Sequence, residues 1–247
     1  MLNKLKYLIN FSISFMNDIF FKKMPLEIFI DYDNYWQKRI LENRLPENLV
    51  RYKIAIKYIG EKGRVLDVGA GVGIFFDLLK NKNPNLELIG TDISEVCLKK
   101  LKEKGYVAVY FNAESDVLTN RLKEIGIDKV EYVTVMDVLE HVFKAEELMQ
   151  EIRKLNPKIC IVSIPNIGYF GCRLRLLLGG KMPLTIIIYH IREHIRFWTV
   201  KDFIYWADKM GFKIKKIEGQ HGFPVLWRFF PSLFASGVVF ILEPKKV

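Results

Sequence analysis

The tightest constraint on this chain is the stretch RVLDVGAGVGIFFDLL, residues 64–79. A run of branched apolar residues meets Gly69, Gly71 and Gly73 at alternate positions, and an amphipathic run begins at once with Ile74 and Phe75. A buried strand, a turn stripped of side chains and a helix, in that order, form the opening unit of a parallel α/β sheet. Glycine accepts positive φ without the roughly 1–2 kcal/mol that a Cβ costs in the left-handed region, and it lets a ligand approach the main chain itself. In such sheets ligands bind beyond the C-terminal ends of the strands, where this loop lies.

The rest of the chain alternates in the same way. Residues 46–63 place Leu49, Tyr52, Ala55, Ile56 and Ile59 at helical spacing, and Gly60 and Gly63 stop the helix. Strands are expected at 64–68, 86–92, 107–111, 130–136 and 159–165, with helices at 75–82, 94–105 and 145–155. Thr199 opens a last helix, and 212–218 and 238–244 supply two final strands close enough for an antiparallel pair. The pattern predicts a doubly wound, Rossmann-like α/β sheet of seven mostly parallel strands with an antiparallel edge. A helical extension is expected over 1–45 and one ligand-binding domain over 46–247, with inserts at 166–198 and 219–237 building the site.

Phosphate ligands fit the loop poorly. A dinucleotide loop has the spacing G-x-G-x-x-G, and here its third glycine would fall on Ile74; a P-loop needs a lysine and a hydroxyl where Ile74 and Phe75 stand. The net charge of +10 is spread over lysine-rich helical runs such as 97–105, which read as solvated surface, and no nucleic-acid partner is expected. Cys97, Cys160 and Cys172 form no CxxC pair, so neither a disulfide framework nor a cysteine zinc site is expected, and a reducing cytoplasm fits best. Residues 1–24 read as an amphipathic helix too interrupted by Asn10, Asn17 and Asp18 to span a bilayer, with membrane-surface attachment as the alternative.

Asp67-x-Gly69-x-Gly71-x-Gly73 resembles motif I of class I S-adenosylmethionine-dependent methyltransferases. The resemblance implies that Asp67, Gly69, Ala70, Gly71 and Gly73 form the cofactor loop. It implies further that Asp92, with Ile93, accepts the ribose hydroxyl protons, and that Asn112-Ala113 meets the adenine. Asp92 can instead cap the following helix, a role Ser94 fills more naturally, and Asn112 can mark a plain turn. MDVLEHV (136–142) is similar to the fourth motif of small-molecule methyltransferases, including the quinone O-methyltransferase type. There Asp137 would lie near the methionine portion of the cofactor. His141, with an ordinary pKa near ~6.5, would serve as general base for an acceptor hydroxyl, unless Glu140 and His141 simply begin the next helix.

The second half narrows the resemblance to the MetW-like family. Ser163-Ile-Pro-Asn166, Cys172-Arg173-Leu174, Gly180-Lys-Met-Pro183 and Phe197-x-Thr199 carry it, and it covers 30–245 in motif order. IDYDNYWQKR (30–39) resembles the aromatic entry segment of relatives, where Tyr32, Tyr35 or Arg39 would close over the cofactor's tail; the alternative is a helix packed on the sheet. His194 is placed near the acceptor pocket, or as a structural hydrogen-bonding residue. His190-Ile-Arg-Glu193-His194 also spells the inverted zinc-protease motif H-x-x-E-H. It is set aside, since no helix of usable length surrounds it and motif I would be left unexplained, and no metal is expected. The resemblance therefore implies S-adenosyl-L-methionine as cofactor and methyl transfer to a small-molecule acceptor. The rival implication is a docking partner of a homoserine acyltransferase in methionine synthesis that binds the cofactor without transferring methyl.

Overall fold

The computed structural model describes residues 31–42, 50–182 and 194–246, with scattered positions between 10 and 21. Most of the helix expected over 1–24, residues 46–49 and residues 190–193 of the H-x-x-E-H stretch lie outside the described residues.

The chain runs α1 (Tyr32–Leu41), α2 (Val50–Ile56), β1 (Gly63–Val68), α3 (Ile74–Lys82), β2 (Leu86–Asp92), α4 (Glu95–Glu103), β3 (Val107–Tyr110), α5 (Leu118–Lys123) and β4 (Tyr132–Met136). A 3-10 turn (Leu139–His141) follows, then α6 (Ala145–Lys154), β5 (Ile159–Pro165), α7 (Phe170–Gly179) and α8 (Val200–Lys209). The chain closes with β6 (Phe212–Gly222), α9 (Leu226–Phe229), α10 (Pro231–Phe234) and β7 (Ala235–Pro244). Local chemistry sets the boundaries: Ser94 Oγ accepts from the Cys97 N–H ahead of α4, and Thr199 and Asp202 form a capping box on α8.

The seven strands form one sheet in the order β3-β2-β1-β4-β5-β7-β6. β1 to β5 pair in parallel, and β7 runs antiparallel to both β5 and β6. The antiparallel edge is therefore a pair, with β6 outermost and the reversed strand β7 one place in. Both are longer than the apolar runs at 212–218 and 238–244, because strand pairing continues through the polar Gln220 and His221. The intervening segment shrinks to 223–234 and folds into α9 and α10.

Each face of the sheet carries its own apolar layer. Ile54, Phe75, Phe76, Leu79, Leu98 and Leu101 from α2, α3 and α4 cover one face. Leu118, Leu122, Leu148, Met149, Ile152 and Phe203 from α5, α6 and α8 cover the other. A sheet covered on both sides explains why every residue of β4 and all but the last of β5 are buried. Among the described residues no helix is long and apolar enough to cross a membrane.

Candidate active site

β1 is flanked by β2 and β4, so the chain moves outward on one side of β1, returns, and moves outward on the other. The loops leaving β1 and β4 separate there and open a crevice. A cavity of about 450 Å³ occupies it.

The glycine loop forms one wall. Gly69 and Ala70 donate their N–H groups to the Thr91 carbonyl at 2.8 and 3.0 Å, and Gly71 donates to Asp92 Oδ2 at 2.8 Å. All three glycines have positive φ (75°, 55° and 79°). A Cβ on Gly71 would lie 2.9 Å from the Trp36 ring, and one on Gly73 would lie 2.8 Å from Leu101 Cδ2. Gly71 therefore lets the Trp36 ring of α1 close on the loop at the edge of the crevice, whereas Gly73 lets α4 pack against the turn. The early third glycine, which no phosphate motif explains, is a packing glycine.

α1 roofs this wall. Its Asp33 accepts from Ser94 Oγ at 2.5 Å and from the Val96 N–H at 3.2 Å, and Tyr35, Trp36 and Arg39 line the cavity. Beneath lies Asp92, buried, with Oδ1 accepting from the Ser94 N–H at 2.9 Å. Burial pushes its carboxyl up from the ordinary range, while the Ser94 and Gly71 N–H groups pull it down.

The opposite wall comes from the loop after β4. Asp137 is left-handed (φ 56°), a conformation aspartate tolerates better than most residues. Its Oδ2 lies 2.7 Å from Arg51 Nη1, and its Oδ1 accepts from Ser163 Oγ. Glu140 and His141 follow in the 3-10 turn. The segment carrying His194 is sewn onto that turn, since the Ile195 and Arg196 N–H groups donate to the Glu140 carbonyl at 2.9 and 3.3 Å. Arg196 adds a bond to the Val142 carbonyl at 2.9 Å and a two-pronged pair with Glu146 at 2.7 and 2.6 Å. The His141 and His194 rings meet edge to face, 4.7 Å apart. Burial, and then His141, push the His194 pKa down to about 3. Gln220 and His221 from β6 complete this end of the cavity.

The residues singled out in the sequence divide into two groups. Gly69, Ala70, Gly71, Asp137, His141, His194 and Arg39 surround the one cavity. Asp67, Gly73, Asp92, Ile93, Asn112, Ala113 and Tyr32 lie outside its lining. Asp67 is buried against Thr134 Oγ1 at 2.5 Å, and Asn112 Oδ1 accepts from the Glu114 N–H at 3.0 Å in a turn. Arg51, Trp36, Gln220 and His221 line the cavity and were not singled out. Arg51 sits on a helix whose apolar spacing drew attention to its other residues, and His221 lies past the apolar part of β6, where only strand pairing reveals it.

The chain matches the family model described as methionine biosynthesis protein MetW over residues 50–242. It is similar to the ubiquinone biosynthesis O-methyltransferase of Histophilus somni, 24% identical over 161 residues that cover 64% of this chain and 68% of that protein. It is also similar to the carboxy-S-adenosyl-L-methionine synthase of Nautilia profundicola, 23% identical over 183 residues covering 70% and 73%. A solved SAM-dependent methyltransferase from Archaeoglobus fulgidus shares the fold with a TM-score of 0.61 at 18% identity, over 86% of this chain and 100% of the other.

Proposed function

The chain belongs to the methionine biosynthesis protein MetW family, and from that premise we propose that it is an S-adenosylmethionine-dependent methyltransferase acting on a small-molecule acceptor. The observation that carries the reading is a single cavity walled on one side by bare, positive-φ main chain at Gly69 and Gly71 and on the other by Asp137, His141 and His194. The residues fit the cofactor on a structural test: Gly69, Ala70 and Gly71 line the cavity, and a Cβ at Gly71 would strike the Trp36 ring that lines it beside them. When bound, S-adenosylmethionine supplies a methyl group already activated as a sulfonium.

The protein's contribution is then to bind and orient. Main chain at Gly69–Gly71 and the side chains of Tyr35, Trp36 and Arg39 would hold the amino-acid end, beside Asp137. Asp92 is the acid one strand over, and it would accept the ribose hydroxyl protons. Holding two reactants in line removes about 7–11 kcal/mol of barrier, so the walls matter as much as any base. Of the two histidines, His141 is the candidate base for an acceptor's proton, because burial and its neighbour hold His194 neutral. The family description favours a second reading, a docking partner of an acyltransferase in methionine synthesis that binds the cofactor without transfer.

Calorimetry with S-adenosylhomocysteine tests the first reading. One molecule per chain is expected, with at least about tenfold weaker binding in Asp92→Ala, since hydrogen bonds to a charged group contribute about 1.5–3 kcal/mol. Absence of binding by the intact chain would sink it. Co-purification with an acyltransferase whose activity rises on addition of this chain would favour the second.

A further inference from the structure

The cavity wall opposite the glycine loop holds a constellation that methyl transfer does not by itself require. Glu140, His141 and His194 each present one ligating atom, and the three atoms lie within 4.8 Å of one another. Glu140 is 1% exposed and His194 6%, so two of the three polar groups have been withdrawn from water. His194 Nδ1 is buried with no hydrogen-bond partner among the described residues. A buried imidazole nitrogen without a hydrogen-bond partner is costly, and this one lies beside a second imidazole and a carboxylate that can ligate a cation with it.

We propose that Glu140, His141 and His194 bind one divalent transition-metal cation, and that this cation receives the oxygen of a hydroxyl-bearing acceptor. Two imidazoles and one carboxylate are the donor set of borderline cations such as Zn²⁺, Co²⁺ and Mn²⁺, and three protein ligands leave positions open for substrate. The site is built in advance: the Ile195 and Arg196 N–H bonds to the Glu140 carbonyl join the two ligand segments, and the Arg196–Glu146 pair anchors the second. Asp137 is paired with Arg51 at 2.7 Å, whereas Glu140 is the carboxylate whose oxygen lies within 4.8 Å of both imidazole ligand atoms.

The inference rests on reading the cavity as a methyl-transfer site and deepens it by naming the acceptor class. With the cation in place His141 is a ligand, and activation of the hydroxyl passes to the metal, which lowers the pKa of a bound O–H by several units. The proton goes to solvent water. The oxygen's lone pair forms the new bond to carbon, and sulfur keeps the electron pair of the bond that breaks, so no oxidant or reductant is needed. Sequence reasoning expected no metal because the motif it weighed joined His194 to His190 and Glu193, whereas the ligands that meet His194 come from the loop after β4.

The test uses the full chain, free of added histidines, stripped with a chelator and titrated with Co²⁺ while its visible absorption is followed. One Co²⁺ per chain is expected. Affinity should fall at least about 100-fold in His141→Ala and in Glu140→Gln, since loss of even an outer-shell partner weakens metal binding by about 10–100-fold. His141 is partly exposed and carries the test if the buried Glu140 variant fails to fold. No stoichiometric uptake by the parent chain, or uptake unchanged in His141→Ala, overturns the proposal. S-adenosylhomocysteine calorimetry on the same samples separates the two readings. Cobalt bound without S-adenosylhomocysteine upholds the cation site and removes the methyltransferase; S-adenosylhomocysteine bound without cobalt removes the cation site alone.

Discussion

Asp67, buried near the end of β1, accepts a hydrogen bond from Thr134 Oγ1 at 2.5 Å. Burial pushes its pKa up to about 7, against about 3.9 for the free side chain. The folded protein therefore holds this proton more tightly than the unfolded chain. The stabilising contribution is complete below about pH 4 and is lost as pH rises through about 7. Asp67→Asn, which keeps the shape and an acceptor for Thr134, should flatten the decline of unfolding free energy between those limits in urea titrations. An unchanged slope would mean that another group is responsible. Asp67 was legible as part of a motif; its protonation was not, because desolvation depends on the strands either side.

α1 is weakly secured by its own packing, since none of its residues is buried. It is fastened by Asp33 to Ser94 and by Trp36 to the bare backbone of Gly71. A helix held by a few polar bonds opens at low free energy. Amide exchange over 32–41 should therefore be fast in the free protein and slow on addition of S-adenosylhomocysteine, while β1 and β4 exchange slowly in both states. Equal exchange at α1 with and without the ligand would exclude it as the roof of the site. The resemblance of 30–39 to an entry segment pointed to this role and named Tyr32, Tyr35 or Arg39; helical phase turns Tyr35 and Arg39 toward the cavity together with Trp36 and leaves Tyr32 outside its lining.

At the scale of the molecule, the two apolar layers meet through one sheet, and β7 joins β5 to the edge strand. Phe240 on β7 is fully buried, with its ring 4.3 Å from Phe203 of α8. Phe240→Ala should remove about 3–5 kcal/mol of unfolding free energy, the range for large-to-small changes in a packed core. Chemical denaturation measures it, and a loss under about 1 kcal/mol would show that the edge pair is not part of the cooperative unit.

The succession of the strands along the chain, the switch-point loop and the caps at Ser94 and Thr199 were readable from the chain, because they arise from periodicity and turn chemistry acting between near neighbours. The short α5 was passed over for the same reason: Leu118 and Leu122 are too brief a signal to stand apart from a turn. Tertiary structure alone decided what meets what. It brought Arg51 to Asp137, His194 to Glu140 and His141, and His221 to the mouth of the sheet, and it set Asp92 beneath a helix instead of in the open. Such contacts join segments far apart in the chain, and their geometry follows from how the sheet twists and the helices seat on it, which no local pattern encodes.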